Sequence, residues 1–247
     1  MKHDFGVYGL GRFGVFWADL LSRFGAVKVF SRSKKENLPP GLMPASEAEV
    51  LSSEALFFCV SISSFTEVLK RTAGSIKPPT TVFDTCSVKV FPAKKMDEMI
   101  PSGVEIIATH PMFGPDSAKN GIRGLPIVFA PVRAKQETAN KWKTFFDSMG
   151  LSVIQMSPEE HDREAAFTQG ITHYIGRVLA DLKLEPSVIA TLGYKKLLEI
   201  VEQTCNDPWQ LFLDIQNYNP YTREMREKLH RSLEKIYSNL DQTLDTR

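Results

Sequence analysis

The sequence predicts an α/β protein in which an N-terminal Rossmann domain, a doubly wound and mostly parallel sheet, precedes a C-terminal all-helical domain. Three observations carry this reading. Short apolar runs alternate with amphipathic stretches over roughly the first 150 residues, the pattern of strands joined by crossover helices. A glycine-rich turn, Gly9, Gly11 and Gly14, directly follows the first apolar run. Beyond Met156 the strand pattern stops and only helical periodicity continues, which sets the domains at residues 1–156 and 157–247.

In chain order, "FGVYGL" and "AVKVF" read as strands bracketing a helix, "RFGVFWADLLSRFG", that ends on Gly25. "KKENLPPGLMP" reads as a loop. "ALFFCVSI", "TTVFDTC", "VEIIATH", "PIVFAPV" and "LSVIQM" continue as strands, with helices in "SFTEVLKRTAG", "FPAKKMDEMI" and "KQETANKWKTFFDSMG". The second domain holds four helical segments: "PEEHDREAAFTQGITHYIGRVLADL", "PSVIATLGYKKLLEIVEQT", "DPWQLFLDIQNY" and "YTREMREKLHRSLEKIYSNLDQTL". The last places Met225, Leu229, Leu233, Ile236, Leu240 and Leu244 on one stripe, which suits packing inside its own domain or the seam of a homodimer.

Composition narrows the function classes. With 43% hydrophobic and 24% charged residues the chain is in the ordinary globular range, and a net charge of +1 offers no footprint for nucleic acid or a membrane surface. No apolar run approaches the ~18 residues of a membrane span, and "MKHDFGVYGL" reaches its glycine turn too early to hold a signal peptide. A cytoplasmic protein is expected. Cys59, Cys86 and Cys205 lie far apart without CxxC spacing, so we expect reduced structural cysteines and no metal.

The glycines form G-x-G-x-x-G between a strand and a helix. The first glycine allows the tight turn, the second lets a pyrophosphate approach the backbone, and the third lets helix and strand pack closely. A bound dinucleotide would meet Gly9, Leu10, Gly11, Arg12, Phe13 and Gly14 here, and Ser61 after a later strand. An NAD site usually ends its second strand on a carboxylate for the ribose. This strand ends "VFSRSKK", where Ser31, Arg32, Ser33 and Lys34 suit a 2′-phosphate, so NADP is the expected cofactor.

In a doubly wound sheet, ligands bind beyond the carboxyl ends of the strands, where both "DTCSVK" and "ATHPMFGP" begin. That edge carries Ser87 and His110. An imidazole can accept a proton near neutrality, as the oxidation of an alcohol by hydride transfer requires; a histidine that only caps the turn is the other reading.

Together "THPMFGPDSAKNG", "FDTCSVK" and "HDREAAFTQGITHYIGR" resemble the prephenate and arogenate dehydrogenases of tyrosine biosynthesis, most closely the compact plant-type arogenate dehydrogenases. The resemblance implies an NADP-dependent oxidative decarboxylation of arogenate to tyrosine, of prephenate to 4-hydroxyphenylpyruvate, or both. His110 would take the proton of the ring C4 hydroxyl, and Ser87 would orient His110 and that hydroxyl. Ala165, Gln169 and His173 recur every fourth residue and so share one helix face, with Thr172 adjacent; the resemblance implies that Gln169, Thr172 and His173 line the substrate site, and a buried polar stripe satisfied by neighbouring helices is the plainer reading. His161 and Asp162 are expected to fix the domain junction.

One departure concerns the ring carboxylate. Many bacterial relatives bind it with an arginine that "GYKKLLEIVEQTCNDPW" lacks, which leaves Lys195, Lys196, Arg177 or a second subunit's cation to serve. Asp116 facing the substrate side chain would favour the ammonium of arogenate, and Asn120 would tolerate the keto oxygen of prephenate. Two other functions fit the fold: an NADP-dependent dehydrogenase of a small hydroxy acid, which normally shows a catalytic lysine in the helical domain, and a non-catalytic NADPH sensor.

Overall fold

The computed structural model describes residues 3–33 and 35–244. The chain divides into two compact units, Met1–His161 and Asp162–Arg247.

In the first unit β1 (His3–Tyr8) pairs in parallel with β2 (Gly25–Phe30) across the helix α1 (Arg12–Ser22). A short edge strand, β3 (Leu42–Pro44), and a one-turn helix, α2 (Glu47–Leu51), lead to β4 (Ala55–Phe58) on the other side of β1. Next come α3 (Ile62–Thr72), β5 (Thr81–Asp84), α4 (Val90–Met99) and β6 (Glu105–Pro111). β7 (Pro126–Arg133) runs antiparallel to β6, and α5 (Gln136–Ser148) returns the chain to β8 (Ser152–Gln155), parallel to β7. The sheet order is β3-β2-β1-β4-β5-β6-β7-β8, so the direction of winding reverses between β1 and β4. Every residue of β4 and β5 is buried, as strands covered by helices on both faces require. Phe57 stacks on Phe83 with ring centroids 4.6 Å apart, and Trp17, Trp142 and Phe146 close around them.

Several boundaries in this unit differ from the sequence reading. The first helix ends at Ser22 and Gly25 opens β2 instead, where a Cβ would collide with the His3 carbonyl oxygen of the neighbouring strand. The stretch read as a loop contains β3, and α2 follows it. The signal for α2 is a capping box: Ser46 Oγ accepts from Glu49 N (3.3 Å) and the Glu49 carboxylate accepts from Ser46 N (2.8 Å). The strand "ALFFCVSI" stops at Phe58, and its last apolar residue, Ile62, is the buried first residue of α3.

The junction of the units lies within α6 (Pro158–Ala165). After it come a π-helical turn (Ala166–Gly170), α7 (Ile171–Asp181), α8 (Leu192–Cys205), α9 (Trp209–Tyr218) and α10 (Thr222–Leu244). The π turn interrupts what reads in sequence as one continuous helix. Its loosened backbone is met by side chains: Gln216 Nε2 donates to the Gly170 carbonyl (2.8 Å), and Thr168 Oγ1 donates to the Glu164 carbonyl (3.0 Å). Lys183, at φ 53°, ends the following turn. α8 starts at Leu192 rather than Pro186, because Thr191 caps it by accepting from Tyr194 N (3.2 Å). Along α10, Met225 is fully buried while Leu233, Ile236 and Leu240 stand exposed; the Leu244 side chain lies outside the described residues.

Candidate active site

The glycine turn forms one side of a cleft of about 220 Å³. Gly9 leaves β1 at φ 105°, and its N–H donates to the Phe30 carbonyl (2.8 Å). A side chain there would come within 2.5 Å of the Cys59 carbonyl oxygen, and one at Gly14 would strike the carbonyl oxygen of Gly9. A Cβ at Gly11 would meet no protein atom within 4 Å, so the backbone is open there to a close ligand. Gly11 caps α1, whose first turn carries no acid, and the helix N-terminus therefore favours an anion.

Gly9, Leu10, Gly11, Ser31, Arg32, Ser33 and Ser61 all line this cleft. Ser61 caps α3, so a second helix N-terminus opens on it. Arg32 is exposed and has no ion-pair partner among the described residues; Lys34 lies outside them. Donors, hydroxyls and a guanidinium fit a phosphate-bearing dinucleotide, and no carboxylate among the described residues lines the cleft. Arg12, Phe13 and Gly14 are not among the described residues that line it. Gly14 packs beneath Gly9, Phe13 stacks on Trp17 (5.9 Å between ring centroids), and Arg12 pairs with Asp116. Tyr8, which the sequence reading did not single out, also lines the cleft; its hydroxyl bonds to Glu47 and Arg71, and burial, then the bond to Glu47, pushes its pKa up.

Farther along the same sheet edge, β5 ends on Asp84 and β6 on the His110–Pro111 pair. Asp84 and Lys89 form a fully buried ion pair. Lys89 also donates to the Thr109 carbonyl (2.6 Å), while Asp84 accepts from the backbone N–H groups of Cys86 (3.0 Å) and Thr109 (3.2 Å). Thr109 Oγ1 donates to the Asp84 carbonyl (2.5 Å). This cluster ties the loop bearing Ser87 to the strand bearing His110. Burial pushes the nearby Cys59 thiol up to about 12, and burial with the charge of Asp84 pushes Cys86 well up, which disfavours the thiolate. All three cysteines are free, and no described group of three or more His, Cys, Asp or Glu residues could hold a metal.

His110 is buried, and its ring partner is His161: Nδ1 lies 2.9 Å from His161 Nε2, with the rings edge to face. Spacing in the sequence does not disclose this bond. Ser87 is half-buried, and its hydroxyl bonds to no protein group among the described residues. Asp116 and Asn120 are both exposed, and the carboxylate of Asp116 is turned to Arg12 rather than left open.

Within the helical unit Ala165 and His173 are buried and Gln169 is half-buried. Gln169 Oε1, His173 Nδ1 and Arg177 Nε are buried atoms with no hydrogen-bond partner among the described residues. The Thr172 hydroxyl donates to the Thr168 carbonyl (2.8 Å). Arg177 donates to the carbonyls of Thr204 (3.0 Å) and Asp207 (2.7 Å) and lies over the rings of Trp209 and Phe212, so its charge serves the C-terminal end of α8. Lys195 and Lys196 are exposed.

Burial, and secondarily the charge of Arg177, push His173 down from its ordinary 6.5 to about 4. Between those values the unfolded chain binds a proton that the folded chain refuses, so stability falls as pH drops from about 6.5 toward 4, by at most about 3 kcal/mol from this group. Urea unfolding at the two ends of that window should show the loss, and His173→Gln should reduce it.

The family described as "Prephenate dehydrogenase, nucleotide-binding domain" matches residues 35–155, and "TYRAAT1-like, C-terminal domain" matches residues 178–247. Two proteins of Arabidopsis thaliana, arogenate dehydrogenase 1 and 2, both named as chloroplastic, are each 35% identical to the chain over 95% of its length. The chain spans 39% of the length of the first and 69% of the second. Among solved structures, prephenate dehydrogenase from A. aeolicus in complex with hydroxyphenyl propionate and NAD⁺ superposes with a TM-score of 0.73 at 19% identity, covering 99% of this chain and 92% of that one. That likeness bears on the fold. The identity to the second Arabidopsis protein, over more than two thirds of both chains, places this protein in the prephenate and arogenate dehydrogenase family.

Proposed function

We propose that the protein catalyses the NADP-dependent oxidative decarboxylation of arogenate, with prephenate as a second substrate. The observation that carries the reading is a buried imidazole, His110, at the carboxyl edge of the same sheet whose glycine turn opens onto the dinucleotide cleft. His110 accepts the proton of the ring C4 hydroxyl as the C–H bond at C4 breaks. Bound NADP⁺ supplies the hydride acceptor. The ring carboxylate leaves as CO₂, its bonding electrons complete the aromatic ring, and aromatisation makes the step irreversible.

Ser87, with a hydroxyl that no protein group among the described residues uses, is suited to bonding the ring hydroxyl beside His110. Gln169 and His173 are proposed substrate contacts: buried polar atoms are nearly always paired, and theirs find no partner among the described residues. Thr172 belongs with them on sequence grounds. Asp116 lies against Arg12, which weakens its claim to the substrate ammonium, and the lean toward arogenate rests on the two Arabidopsis relatives.

Following NADPH absorbance with arogenate, prephenate and a panel of hydroxy acids tests the reaction. Turnover of the hydroxy acids alone, or of nothing, would replace this reading with one of the two alternatives. Cofactor choice rests on Ser31, Arg32 and Ser33 at the end of β2. Arg32→Ala should weaken NADP by about 10–100-fold, the worth of a charge-assisted bond, and NAD far less; equal losses would remove Arg32 from the phosphate site.

A homodimer through the helices is supported by exposed Leu233, Ile236 and Tyr237 on α10, and sedimentation equilibrium tests it. No helix among the described residues is long and apolar enough to cross a membrane. A cytoplasmic location is proposed on composition, and import of the full-length protein into a plastid would overturn it.

A further inference from the structure

We propose that His161 is a positioning residue that sets the tautomer of His110; the inference rests on His110 being the base. Both rings are buried, at 3% and 2% exposure, and their nitrogens stand 2.9 Å apart, so one proton is shared between His110 Nδ1 and His161 Nε2. Two arrangements satisfy that contact. If His161 donates, His110 carries its own proton on Nε2 and has no lone pair left for a substrate hydroxyl. If His110 donates through Nδ1–H, its Nε2 is the acceptor the reaction needs. The second arrangement also prepares for the proton transfer. The imidazolium formed keeps its Nδ1–H bond to His161, which accepts before and after the step without rearranging.

The position of His161 is built locally. Ser157 and Glu160 form a capping box: Glu160 accepts from Ser157 N (2.8 Å) and Ser157 Oγ accepts from Glu160 N (3.2 Å). The next residue, His161, makes the first α-helical bond, from its N–H to the Ser157 carbonyl (3.0 Å). Helix α6 therefore begins at a defined residue, and this register delivers the imidazole to His110. Ser157, Glu160, His161 and His110 all belong to the first unit.

The test compares His161→Leu and His161→Gln with wild type in the full chain, reading kcat, substrate KM and NADP affinity. His161→Leu should lower kcat on the order of 10²-fold or more, with KM and NADP affinity within about twofold, because it removes the acceptor for the Nδ1–H. His161→Gln, whose amide oxygen can accept the same bond, should recover most of the loss. Wild-type kcat in His161→Leu, or no recovery in a folded His161→Gln, would overturn the proposal. If His161→Leu does not fold, ¹⁵N spectra of histidine-labelled wild type decide: His110, assigned by its loss in His110→Asn, should carry its proton on Nδ1, and a proton on Nε2 would overturn the assignment. His110→Asn also separates the two readings. If its kcat stays within about tenfold of wild type, the base assignment fails; if it falls by about 10²-fold or more while His161→Leu is fully active, only the role of His161 fails.

Discussion

Replacing His110 with Asn should lower kcat by about 10²–10⁴-fold, the usual worth of a positioned base, while NADP affinity stays within about twofold. Asparagine retains a polar amide of similar reach, so the site can still hydrogen-bond a hydroxyl. It has no group that accepts a proton near neutrality. The proposed cofactor contacts lie elsewhere, at the glycine turn and the ends of β2 and β4, which is why binding and turnover should separate. Steady-state rates from NADPH absorbance, set beside fluorescence titration of NADPH, measure both quantities. A kcat within tenfold of wild type would leave the imidazole a structural turn cap.

The largest effect on stability is expected from Lys89→Met. Its partner, Asp84, is fully buried, and removing one member of such a pair costs about 3–5 kcal/mol because the other charge stays uncompensated. The N–H groups of Cys86 and Thr109 still bond the carboxylate, but they are neutral donors that the wild type also supplies. Asp84→Asn combined with Lys89→Met should recover part of the loss, since a neutral amide is buried at lower cost and can accept one of those N–H groups. Urea unfolding followed by fluorescence reads the difference, with Trp17 and Trp142 in the core of this unit. A loss under about 1 kcal/mol for Lys89→Met would mean that the pair contributes little. Lys89→Met should also lower kcat, because the cluster holds the Ser87 loop against the strand of His110.

The nucleotide cleft was the most legible part of the site. A glycine fingerprint is a local device: three missing side chains, one strand end and one helix start lie within seven residues, and the cleft-lining positions Ser31, Arg32 and Ser33 follow the next strand directly. The doubly wound sheet was legible for the same reason, since apolar runs flanked by amphipathic helices are short-range patterns. Errors fell where local signals competed. Two prolines hid β3, a one-turn helix was too short for periodicity to show, and the π turn keeps helical spacing while changing the backbone bonds.

What the sequence determined by itself was the order of the longer strands and helices, the glycine turn, and the presence of a histidine at a strand end next to Pro and Met. What only the tertiary structure decided was partnership: Asp84 with Lys89 and Thr109, Arg12 with Asp116, His110 with His161. Arg12 and Asp116 are 104 residues apart, and the two histidines 51. Backbone propensity and side-chain periodicity act over a few residues, whereas a hydrogen bond or ion pair depends on separations set only when the strands have closed into one sheet. The protonation chemistry of this site therefore belongs to the fold rather than to any single stretch of the chain.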